Sequence, residues 1–337
     1  MRLVGEPAVG KSAPLDAAED MAAIAGIRVL RAAGSEFDER TLAMNFLTTA
    51  GPARLRLIFA AATLALAGLL AAAVAGGPAS AADVGRLSWE GKTKPVIVLE
   101  HGAWADSSSW DQVIRILTRK GFTVYAPPDP LRGLASDSAY LHDFLTENAA
   151  LAGKPVVLVG HSYGGAVITE AAVGDREVKA LVYVDAFIPA EGESIGALLA
   201  RPQGAGSCIG GNPATVFDPV PFPGAPAGDI DLYLRPDKFS GCFASGLGAS
   251  QGALLAATQR PLASAAVTEV SGTPAWRTIP SWAVVGTADK VIPPALLTSM
   301  ARRAHARITG VSAGHLSLIT KAAAVARVIV RAARATS

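Results

Sequence analysis

Five short runs of apolar and β-branched residues constrain this chain more than any other feature. They are Val96-Ile97-Val98-Leu99, Phe122-Thr123-Val124-Tyr125, Val156-Val157-Leu158-Val159, Ala180-Leu181-Val182-Tyr183-Val184 and Trp282-Ala283-Val284-Val285. A strand with one wet face alternates polar and apolar residues, whereas a strand buried on both faces reads as a continuous apolar run. Between the runs, residues 110–120, 140–151 and 163–173 carry helical spacing. The order is βαβα, which predicts an α/β fold: a mostly parallel sheet flanked by helices. From Pro189 to Ile279 the alternation stops, in a stretch of about 90 residues rich in Gly, Pro and Ala and helical around Gln251 to Thr258. That stretch is expected to form a lid inserted above the sheet, within one domain covering residues 82–337.

Composition narrows the function. Half of the 337 residues are hydrophobic and 17% are charged, which excludes a disordered protein. Lys+Arg number 30 against 28 Asp+Glu, and the charges are scattered. No basic stripe exists to hold nucleic acid, so none is expected as a partner. Two cysteines and five histidines, with no CxxC or HExxH pattern, give little from which to build a metal site. Neither a metal nor a cofactor is expected.

The residues before this domain read as two further pieces. Leu57 to Val74 is an uncharged apolar stretch preceded by Arg54 and Arg56 and followed by Gly76, Gly77 and Pro78. With the small residues Ala79-Ser80-Ala81 after it, residues 44–81 match a secretory signal peptide cleaved before Ala82 and starting at Met44. Secretion or export to the periplasm is expected; the alternative is an uncleaved membrane anchor, since such a stretch can just span a bilayer core. In residues 1–43, Gly5-Glu6-Pro7-Ala8-Val9-Gly10-Lys11-Ser12 satisfies the phosphate-cradling pattern GxxxxGK[ST]. A working P-loop needs a strand before it and an acidic, magnesium-holding strand after it. Only Met1 to Val4 precede the pattern, so this segment, which resembles the opening of the ATPase domain of large bacterial transcriptional regulators, is expected to be truncated and without function.

Chemistry is concentrated at the ends of the predicted strands. Gly160-His161-Ser162-Tyr163-Gly164-Gly165 sets G-x-S-x-G directly after one strand and directly before a helix. A serine on that tight turn is held at the top of the sheet, and the helix N-terminus behind it favours developing negative charge. After a later strand comes Gly286-Thr287-Ala288-Asp289, and after another short strand Ala313-Gly314-His315. The order Ser162, Asp289, His315 is that of a nucleophile, an orienting acid and a base. Asp185, at the end of the strand after the helix that follows Ser162, is a rival acid; it is expected instead at the lid hinge, satisfied by backbone amides around Phe187. Two N–H donors are needed for the oxyanion of an acyl-transfer intermediate. Tyr163, the residue after the nucleophile, supplies one, and Ala103 in the loop Glu100-His101-Gly102-Ala103-Trp104 is chosen for the other. His101 is read as a structural residue orienting that loop, Trp104 as a wall of the site and Trp110 as core packing.

Those motifs carry a resemblance. From Ala82 onward the chain resembles the α/β-hydrolase superfamily, in particular the branch of small-molecule esterases that includes plant methylesterases and hydroxynitrile lyases, through HGAW, GHSYGG, GTADKVIPP and AGH. The resemblance implies a serine hydrolase that cleaves small uncharged carboxylic esters through an acyl-enzyme intermediate, with its acid at Asp289. The lyases of that branch place a lysine after the histidine and a hydroxyl residue after the HG-loop histidine; this chain has Leu316 and Gly102 there. A ligand receptor with little turnover, a cofactor-free perhydrolase and a lyase-like enzyme remain alternatives. Tyr233, Phe239, Leu254 and Leu255 are expected pocket walls. Cys208 and Cys242, both in the insertion, could bridge in an oxidising compartment or remain free thiols.

Overall fold

The computed structural model describes residues 2–4, 30–32 and 93–336. Within the first 87 residues, strands β1 (Arg2–Val4) and β2 (Leu30–Ala32) pair in parallel. The residues ahead of the P-loop pattern do therefore form a strand. The pattern itself and the expected signal peptide or membrane anchor, residues 44–81, lie outside the described residues.

The unit beginning at Ser88 is built on six strands: β3 (Val96–Glu100), β4 (Val124–Tyr125), β5 (Val156–His161), β6 (Val178–Val184), β10 (Ser281–Gly286) and β11 (Arg307–Val311). All neighbours run parallel, in the order β11-β10-β6-β5-β3-β4. Residues of β3, β5 and β10 are buried along their whole length, the state their unbroken apolar runs required. The edge strand β11 is mostly exposed, and its sequence is correspondingly less apolar. Helices α1 (Asp111–Arg119), α2 (Leu134–Glu147), α3 (Tyr163–Ala171), α4 (Ala249–Ala257), α5 (Pro294–Arg303) and α6 (Ala322–Ala335) complete the frame. Four of them pack as pairs, α1 beside α6 and α2 beside α3.

One expectation needs correction. The second helix begins at Leu134 instead of Tyr140 and ends at Glu147. Asp137 in its first turn accepts from the Arg132 and Gly133 amides, which stabilises a helix start inside a stretch whose Gly and Ser residues look loop-like. The stretch expected to form the lid carries structure beyond the helix expected around Gln251 to Thr258. It holds a small antiparallel sheet of β7 (Phe217–Val220), β8 (Asp231–Leu234) and β9 (Leu262–Ala263). Pro219 sits in β7, an edge strand, where a missing N–H is tolerated. Among the described residues no helix is long and apolar enough to cross a membrane.

Candidate active site

The strand β5 ends at His161 and α3 begins at Tyr163, so the chain must reverse at a single residue. Ser162 makes that bend at φ 53° and ψ −120°, a conformation that strains any residue with a Cβ. Glycines make room for it. A Cβ at Gly160 would stand 2.4 Å from the Gly164 carbonyl oxygen, and one at Gly164 would stand 2.4 Å from the His101 carbonyl oxygen. The bend is then pinned by backbone bonds: the Ser162 carbonyl accepts from Gly165 at 3.0 Å and from Phe187 at 3.1 Å.

The three side chains expected to act together are brought together. Ser162 Oγ lies 2.8 Å from His315 Nε2, and His315 Nδ1 lies 2.8 Å from Asp289 Oδ2. All three residues are buried. The other oxygen of Asp289 accepts from the Val291 and Ile292 amides at 2.8 and 3.0 Å, which fixes the carboxylate plane. The loops carrying Asp289 and His315 are tied directly, since the Ala288 amide donates to the Ala313 carbonyl at 3.0 Å.

Asp185 does not reach the histidine ring. Its backbone is left-handed, with φ 46°, and its carboxylate accepts from Gly286 at 2.6 Å and Ser317 at 3.3 Å. These are the ends of β10 and of the His315 loop, so the expectation that amides around Phe187 satisfy it is corrected. Burial, reinforced by the nearby Asp289 charge, pushes its carboxyl up to about 7.

The loop expected to supply an oxyanion donor is held from behind. Ala103 and Tyr163 both line the cavity that contains Ser162. His101 is buried; its Nδ1–H donates to the Gly102 carbonyl at 2.9 Å and its Nε2 accepts from the Asp129 amide at 3.0 Å. That use of both nitrogens fits a neutral ring, and burial pulls its pKa down to about 4. Gly102 is required by contact: a Cβ there would lie 2.7 Å from that of Ser162. Glu100 and Asp129 are buried close to one another, and desolvation raises both carboxyls well above the usual range.

One contributor escaped sequence reasoning. His161, the variable residue inside G-x-S-x-G, donates from Nε2 to the His315 carbonyl at 3.0 Å and lays its ring 4.9 Å from that of His315. Its position beside the serine was the only available signal. Burial holds it neutral, well below its ordinary pKa.

Above Ser162 lies a cavity of about 210 Å3. Ile195, Leu199, Ile209, Phe217, Leu262 and Val267 roof it, and no charged side chain lines it. Of the four expected walls none borders this cavity. Phe239 and Leu255 line a second, smaller hollow, while Leu254 is 62% exposed. The roof is instead built by two short helices, Ile195–Leu199 and Ser264–Thr268, by strands β7 and β9 and by the loop at Ile209, where isolated apolar residues give no periodic signal. Trp104 does border the cavity, and Trp110 is fully buried as core. Cys208 and Cys242 form a disulfide. No group of His, Cys, Asp and Glu suited to a metal ion occurs among the described residues.

A model of the Alpha/beta hydrolase family matches residues 96–328. A carbendazim-hydrolyzing esterase of Nocardioides sp. is 36% identical over 135 residues, 36% of this chain and 55% of that protein. A probable hydrolase of Phoma sp. is 33% identical over 114 residues, covering 30% of this chain and 46% of its own. The chain thus spans about half the length of the curated relatives it matches. Among solved structures, an extracellular alpha/beta-hydrolase from a Paenibacillus species superposes with a TM-score of 0.57 at 21% identity, over 71% of this chain and 98% of that one. That likeness is one of fold.

Proposed function

The chain belongs to the Alpha/beta hydrolase family, and from that premise we propose that it is a serine hydrolase cleaving small uncharged carboxylic esters through an acyl-enzyme intermediate. The observation that carries the reading is the unbroken line from Ser162 Oγ to His315 Nε2 and from His315 Nδ1 to Asp289 Oδ2, each step 2.8 Å. In this reading Ser162 Oγ attacks the ester carbonyl while His315 takes its proton, and the imidazolium that forms is stabilised by Asp289. The carbonyl oxygen becomes an oxyanion facing the amides of Ala103 and Tyr163. His315 then gives its proton to the departing alkoxide, leaving the acyl group on Ser162. Water, deprotonated by the same imidazole, attacks that acyl group and releases the acid. The uncharged cavity supports neutral substrates, because an unpaired charge placed there would lose its hydration. The esterase and hydrolase names of the two relatives support the same class of reaction.

Export fits this picture as a further proposal. Residues 44–81 carry the composition of a signal peptide, and a disulfide in the lid suits an oxidising compartment. Fractionation of expressing cells, with the processed N-terminus sequenced, tests it; protein retained in the cytoplasm with residues 44–81 intact would refute it. Ester hydrolysis is tested with p-nitrophenyl esters of increasing acyl length. Ser162→Ala is expected to lower kcat by several orders of magnitude, as for other serine nucleophiles, and wild-type rates in that variant would refute the reading.

A further inference from the structure

Trp104 borders two hollows at once. It lines the cavity of about 210 Å3 that holds Ser162. It also lines a hollow of about 30 Å3, whose walls include Phe239, Leu255 and Leu316. The ring is fixed from three directions. Phe217 stacks on it with centroids 5.6 Å apart, Phe243 meets it edge-on at 5.8 Å, and the indole N–H donates to the Leu232 carbonyl at 2.8 Å. Its backbone is left-handed, with φ 55°, a strained state for a residue with a side chain. The loop that presents the Ala103 amide is therefore also committed to turning a large ring inward. Asp106, at the edge of the second hollow, is already engaged as the acceptor of the Ser108 amide at 2.7 Å.

We propose that Trp104 is a specificity-determining partition: its indole closes one end of the substrate cavity and sets the longest apolar chain accepted, and the hollow beyond is where a longer chain would extend if the ring were removed. The proposal rests on the ester-hydrolase reading above and adds to it a residue that selects substrate length. Nothing in the proton transfers requires an indole at this position, and a smaller side chain could carry the same backbone amides.

The test compares kcat/KM for p-nitrophenyl esters from acetate to dodecanoate in the wild type, Trp104→Ala, Trp104→Phe and the double variant Trp104→Ala/Leu255→Trp. Each methylene newly buried is worth roughly fourfold. The ratio of dodecanoate to butyrate should therefore rise at least about tenfold in Trp104→Ala, which corresponds to two newly buried methylenes. Trp104→Phe keeps a ring but loses the tether to Leu232, and its ratio should stay near that of the wild type. Leu255→Trp refills the hollow from its far wall and should cancel most of the gain. If Trp104→Ala does not fold by circular dichroism, Trp104→Leu carries the test with a smaller rise. An unchanged ratio in the folded variant overturns the partition while leaving ester hydrolysis standing, and an equal rise in Trp104→Phe overturns it in favour of the tether. A wild type inactive on every ester overturns the ester-hydrolase reading and the partition with it.

Discussion

Acid should destabilise this fold through His101 by an amount the site geometry sets. Both imidazole nitrogens are committed, one donating to the Gly102 carbonyl and the other accepting from the Asp129 amide. A second proton would set an N–H against the N–H of Asp129, in a place water does not reach. Folding accordingly lowers the pKa from 6.5 to about 4. Between those values the unfolded chain binds a proton that the folded chain refuses, so stability falls as pH falls. The linkage gives a loss of about 2.5 kcal/mol on going from about pH 7.5 to about pH 4.5. His161, also held neutral by burial, adds its own loss, so the His101 share must be isolated by difference. His101→Gln keeps an acceptor near the Asp129 amide and does not titrate. Urea unfolding followed by tryptophan fluorescence at the two pH values should show a variant less stable at neutral pH but less sensitive to acid, by about 2.5 kcal/mol. Equal acid losses in the two proteins would refute the claim that a neutral His101 holds the oxyanion loop.

Other outcomes follow from single contacts. Asp289→Asn should leave the fold intact and lower kcat by roughly 10⁴, because the imidazole then takes the wrong tautomer, whereas Asp185→Asn should cost far less; steady-state kinetics on proteins checked by circular dichroism would expose a reversed order. Gly102→Ala forces a Cβ to within 2.7 Å of the Ser162 Cβ and should displace the Ala103 amide, lowering kcat by about 10²–10³, the worth of one oxyanion donor; unimpaired turnover would contradict the loop's role. Reducing Cys208–Cys242, which are separated by 34 residues, should lower the stability of the lid by ~3–4 kcal/mol in the chain-entropy model; an unchanged melting temperature under reductant would count against it.

The parts legible in the sequence are those with a local cause. Apolar runs such as Val156 to Val159 announce buried parallel strands because no face of them can be polar. The glycines around Ser162 announce a sharp turn because no other residue fits. Ser162, Asp289 and His315 stand out by their order and their places at predicted strand ends, and they meet at hydrogen-bond distance. What stayed hidden depends on contacts distant in sequence. The partners of Asp185 lie on β10 and the His315 loop, 101 and 132 residues away. Strands β7 to β9 are only two to four residues long, too short for a period to show. The cavity roof gathers single apolar residues from two short helices, two short strands and a loop, and no spacing rule connects Ile195 to Val267.

The central claim is that Ser162 is a nucleophile activated by His315, and covalent trapping tests it most directly. The protein would be incubated with an organophosphonate reagent that phosphonylates activated serines, its residual esterase activity followed, and the modified peptides mapped by mass spectrometry. The account predicts one adduct, on Ser162, formed in step with the loss of activity and strongly slowed in His315→Ala. Esterase activity that disappears while Ser162 remains unmodified, or labelling of Ser162 at the same rate without His315, would contradict it.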